Sequence, residues 1–63
     1  MRLNDFLKKY SMSYAKFGKL ISISKAQVGK YARGETIPKI DTIKKIEIAT
    51  NNRVKFKDFS PIN

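Results

Sequence analysis

Residues 24–34 read SKAQVGKYARG, and the fold turns on how this stretch is understood. Ser24 followed three residues later by Gln27 predicts a helix opened by a capping box, in which each side chain satisfies an orphan backbone donor. Yet the segment holds a single large aliphatic residue, Val28, and a glycine in mid-helix. At about 100° per residue, Val28 and Tyr31 fall close together with Ser24 between them, and they define the side to be buried. Ala26, Gly29 and Lys30 fall opposite, flanked by Lys25 and Gln27. An outward glycine costs about 0.8–1.0 kcal/mol of helix propensity relative to alanine, which the close approach of an outside partner would account for. A chain of 63 residues has little core material to spare, so a helix that buries so little is expected to face a partner.

Upstream, residues 13–23 supply the element that would carry this helix. Ser13 is a good N-cap, and Tyr14, Phe17, Gly18 and Ile21 follow along one side, with Lys16 and Lys19 pointing away. The short connection Ile21-Ser22-Ile23-Ser24 joins the two segments with the spacing of a helix-turn-helix. In such a pair the first helix braces the second, which must protrude enough to enter a groove about 12 Å wide. Bracing needs a small residue where the helices cross, here Gly18. It also needs apolar anchors, here Phe17, Ile21, Ile23, Val28 and Tyr31.

Two further helices flank the pair. Leu3, Phe6, Leu7 and Tyr10 form one stripe of a helix over 3–10, and Ile40, Ile43 and Ile46 form that of a helix over about 40–50, placed after Pro38. Ser11, Gly34 to Pro38 and Asn51-Asn52 mark the breaks. Residues 46–59 admit two readings, because Ile46-Glu47-Ile48 and Val54 to Lys57 also alternate as strands of a β-hairpin would. The helix uses more of the isoleucines and is preferred, with Val54, Phe56 and Phe59 folding back as a one-turn or irregular closing segment. The expected fold is therefore mostly α: one domain over 1–63, a bundle of four to five helices around a core motif at 13–34.

Composition narrows the chemistry. There is no cysteine and no histidine, so disulfides, zinc sites and histidine catalysis are not expected. Ser13-Tyr14-Ala15-Lys16 and Ser22-Ile23-Ser24-Lys25 fit the S-x-x-K pattern of serine acylases, but those enzymes need a far larger scaffold. The five acids are scattered and suggest no metal cluster, and no cofactor is expected. No stretch approaches the roughly 20 apolar residues of a membrane span, so a cytoplasmic protein is expected. The 14 lysines and arginines against five acids give a net charge of +9, which favours a polyanionic partner.

The stretch SYAKFGKLISISKAQVGKYARG, residues 13–34, resembles in register the phage Cro and repressor-like helix-turn-helix proteins. ETIPKIDTIKKIEIATNN is similar to that family's loop, proline and fourth helix, and the likeness covers about residues 3 to 60. The resemblance implies that Ser24, Lys25, Ala26, Gln27 and Lys30 read base edges in the major groove. It also implies phosphate contacts from Ser13 and Tyr14 at the start of the second helix, and from Arg33, Thr36 and Lys39 after the third. Lysine suits guanine O6 and N7, glutamine suits adenine, and the alanine methyl suits that of thymine. Two positions depart from the family pattern. Ser22 stands where a glycine is common, so a longer or strained turn is expected, and Gly18 stands where alanine is commoner.

The expected function is that of a Cro-type repressor on double-stranded operator DNA in a bacterial host, with no small-molecule effector. A homodimer is expected, with the tail over 52–63, and Val54, Phe56, Phe59 and Ile62 in particular, as its contact. The rival readings are an antitoxin or excision accessory protein of the same fold, and a module that binds an acidic protein. Lys8, Lys9, Lys16, Lys19, Lys44, Lys45, Lys55 and Lys57 read as a solvated surface.

Overall fold

The computed structural model describes residues 1–59. Its elements are α1 (Leu3–Lys9), α2 (Tyr14–Ile21), α3 (Lys25–Ala32), α4 (Ile40–Ala49) and a closing 3₁₀ turn, Phe56–Phe59. No strand occurs among the described residues. The hairpin reading of 46–59 therefore fails, because α4 runs on through Ala49 and the chain after it closes as a single turn.

The starts and stops of the helices follow from side-chain chemistry. Ser13 Oγ accepts a hydrogen bond from Lys16 N–H at 3.0 Å, and Ser24 Oγ accepts one from Gln27 N–H at 3.2 Å, so α2 and α3 both open on a serine cap. All four helices end on a left-handed residue: Ser11, Ser22, Gly34 and Asn51. Past each of them one N–H reaches back five residues to a helix carbonyl: Met12 to Leu7, Ile23 to Gly18, Glu35 to Lys30, and Asn52 to Glu47. The serine, glycine and asparagine breaks in the sequence are thus one recurrent device.

The core gathers Leu3, Phe6 and Leu7 of α1, Phe17 and Ile21 of α2, Val28 of α3, Ile43 and Ile46 of α4, and Val54 of the tail. The rings of Phe6 and Phe17 meet nearly edge-on at 6.2 Å between centroids. α2 packs on both α3 and α4, while α1 packs on α3. Two residues of the expected stripes lie outside this core. Ile40, the first residue of α4, is exposed, and Tyr10 sits at the margin, covering Phe6 with a centroid distance of 4.7 Å.

The tail is fixed by a residue that periodicity does not single out. Thr50, 1% exposed, donates from Oγ1 to the Ile46 carbonyl at 2.7 Å and accepts from the Val54 N–H at 3.2 Å. That pair of bonds lets the chain turn back and bury Val54 completely. Val54 cannot, then, be a dimer contact, which corrects the expectation for that residue. Phe59 is half-buried against the core, Phe56 is exposed, and Ile62 lies outside the described residues. The closing turn is held by the Glu47 carboxylate, which accepts the Phe56 N–H at 3.2 Å, and by Asp58, which accepts the Lys55 N–H at 2.8 Å.

Candidate nucleic-acid interface

The turn between α2 and α3 is short because Gly18 and Ser22 each give up something. Ile23 N–H bonds the Gly18 carbonyl at 2.8 Å, which draws the chain tightly over α2. A methyl group on Gly18 would collide with the Ile23 carbonyl oxygen, a backbone atom that has nowhere to go. Glycine at 18 is therefore required by the turn as much as by the helix crossing. Ser22 adopts φ 59°, ψ 42°, the left-handed conformation that glycine adopts at no steric cost. The turn is not lengthened, and the departure from the family's glycine is met as backbone strain at Ser22.

On this turn α3 is seated by Val28, fully buried, with Tyr31 half-buried beside the core. Ser24, the N-cap, and Lys25, Ala26 and Lys30 of α3 are exposed and Gln27 is half-buried, so the expected base-reading residues are accessible at the start of the helix and along it. Ser13 at the start of α2 is exposed and Tyr14 half-buried, while Arg33, Thr36 and Lys39 after α3 are exposed. The first N–H groups of α2, beyond the one capped by Ser13, have no intrahelical partner, as at any helix start.

Gly29 is the exception to the expected outer face. It is buried, not open to solvent. A Cβ built on it would stand 2.9 Å from Arg33 Nη1 and 3.3 Å from Cδ2 and Cε2 of Tyr14. Gly29 faces away from Val28, as the helical spacing implies, but α2 and the Arg33 side chain cover that face, so it is not an outward one. Close approach is indeed the reason for the glycine, and the approaching groups belong to the protein itself.

Arg33 Nε is ion-paired with Glu35 Oε2, and both side chains are about half exposed. Their mutual hydrogen bond holds the Glu35 carboxyl below its ordinary value and the Arg33 guanidinium above its own. Glu35 was not among the residues expected at the site. An acid in a basic loop carries no periodic signal, and only the fold-back of Arg33 shows what it pairs with.

Among known protein families, the helix-turn-helix family matches residues 3–55. The chain belongs to that family. The match takes in all four α-helices and both helices of the motif, so the helix-turn-helix assignment rests on nearly the whole described domain. No curated protein and no solved structure matches the chain. A helix-turn-helix domain of this family is a DNA-binding regulatory domain, which agrees with the +9 charge. Among the described residues, no helix is long and apolar enough to cross a membrane.

Proposed function

We propose that the protein is a Cro-type transcriptional repressor that binds operator DNA as a symmetric dimer. The observation that carries this reading is the seating of α3. Its Val28 and Gly29 sides are covered by the body of the domain, while Ser24, Lys25, Ala26 and Lys30 stand free at its start and along its outer face. A short helix held in this way fits the major groove. In the groove, Lys25 and Lys30 supply donors for guanine O6 and N7, Gln27 supplies a donor–acceptor pair for adenine, and Ala26 offers a methyl to thymine. Ser24 adds a hydroxyl at the start of the helix. Ser13, Tyr14, Arg33, Thr36 and Lys39 flank this face and supply phosphate contacts that set its register. Repression follows from occupancy, since an operator covered by the protein is closed to polymerase.

Dimerisation is supported by size. The domain measures 28 Å along its longest axis, less than the roughly 34–36 Å between half-sites one helical turn apart. One chain therefore reads one half-site, and a two-fold pair reads two. Leu20, Ile48 and Phe56 are exposed apolar residues that a second copy can cover.

Selection from a random DNA pool tests this reading directly. The expected product is a palindrome with half-sites about 10 bp apart. Lys25→Ala and Gln27→Ala should each lower affinity for the selected duplex by about 1–3 kcal/mol and relax preference at one base position. Undiminished binding by the Lys25→Ala, Gln27→Ala, Lys30→Ala triple variant would show that α3 does not read the DNA.

A further inference from the structure

We propose that Gly29 is a positioning residue for DNA binding: its bare Cα is the notch in which Arg33 and Tyr14 converge, so that α2 and α3 offer one phosphate clasp. This rests on the DNA-binding reading of the same face and goes beyond it by coupling two contacts that the sequence presents as separate.

The geometry is specific. Gly29 and Arg33 are four residues apart, so they are neighbours on the helix surface. Helical side chains lean toward the N-terminus, and Arg33 does so, laying Nη1 over Gly29 beside the Tyr14 ring. Tyr14 is the first residue of α2, where free backbone N–H groups already favour an anion. Glu35 holds the guanidinium from its Nε side and the Tyr14 hydroxyl lies near enough to act on it as well, which leaves part of the five-donor fork for another acceptor. A phosphate placed there receives the guanidinium from α3 and the tyrosine hydroxyl with backbone N–H groups from α2. Such charge-assisted contacts are directional, so the position of the fork matters as well as its charge. Any side chain at 29 takes the space in which the fork lies. Alanine is the mildest such change, since the nearest atom it meets is the far end of a flexible side chain and the tyrosine ring need give only slightly.

The test is a double-variant cycle on a duplex of about 30 bp carrying the selected palindrome, with an unselected duplex of the same length beside it. Gly29→Ala should fold and melt no lower than the native protein, because alanine is the better helix former. It should nevertheless bind both duplexes more weakly, by about tenfold or more, the scale of one charge-assisted hydrogen bond. The magnitude of its salt slope should fall by about 0.9 if one phosphate contact is lost. Arg33→Ala should show the same losses, and the double variant should be no weaker than Arg33→Ala alone. Arg33→Lys keeps the charge without the fork and should also bind more weakly than the native protein. Native affinity in Gly29→Ala or in Arg33→Lys, or losses that multiply in the double variant, would overturn the clasp. Failure of the underlying reading looks different, because Lys25→Ala and Gln27→Ala would then leave binding of the selected duplex intact.

Discussion

Ser22 and Gly18 set the geometry of the motif and pull in opposite directions. A non-glycine residue in the left-handed region costs roughly 1–2 kcal/mol, part of which a glycine would return to its unfolded-state entropy. Ser22→Gly should therefore stabilise the domain by about 0.5–1 kcal/mol, which a denaturant melt at constant m-value reads as a higher midpoint. Gly18→Ala should do the reverse. Alanine gains helix propensity, yet its methyl meets the immovable Ile23 carbonyl, and a net loss of about 1–3 kcal/mol is expected from the overpacking. The sequence marks both positions as departures from the family pattern, but which of them is strained and which indispensable depends on where one carbonyl oxygen lies. Gly29 makes the same point. Its place on the helical wheel is legible from spacing, and its cover is not, because that comes from α2 and from a side chain one turn away.

At the scale of elements, the four helices are legible because period and punctuation agree. Apolar residues recur at helical spacing, serines open α2 and α3, and serine, glycine and asparagine close all four. The closing segment is less legible, since Val54 to Lys57 alternates as a strand does and nothing local forbids that reading. The choice is made by Thr50, whose hydroxyl serves α4 and the tail together. Thr50→Val keeps the shape and removes the acceptor, leaving the buried Val54 N–H without a partner. The expected cost is about 1–3 kcal/mol, measurable as a lower denaturation midpoint. Amide hydrogen exchange should speed up at Val54 well before it does at Phe17 or Ile46. Uniform exchange across these sites would place the tail's anchorage elsewhere.

For the whole molecule the governing quantity is charge. With a net charge of +9 spread over a domain 28 × 20 × 19 Å, association with DNA should weaken steeply with salt. The logarithm of the binding constant should fall linearly with that of salt concentration, by about 0.9 for each phosphate neutralised. Arg33→Ala and Lys39→Ala should each flatten that line by about one contact, equally on selected and unselected duplexes. Lys25→Ala should weaken the selected duplex more than the unselected one. A flat salt response in the native protein would contradict an electrostatic interface.

The sequence by itself determined the helix-turn-helix, its register and the excess of positive charge, because periodicity, capping residues and net charge are local or additive properties. Only the tertiary structure decided that Val54 closes the core, that Ile40 stays outside it, and that Gly29 lies beneath Arg33 and Tyr14. Each of these depends on groups far apart along the chain or on a side chain folding back over its own helix. In SKAQVGKYARG the pattern shows which way the glycine points, and packing alone shows what meets it there.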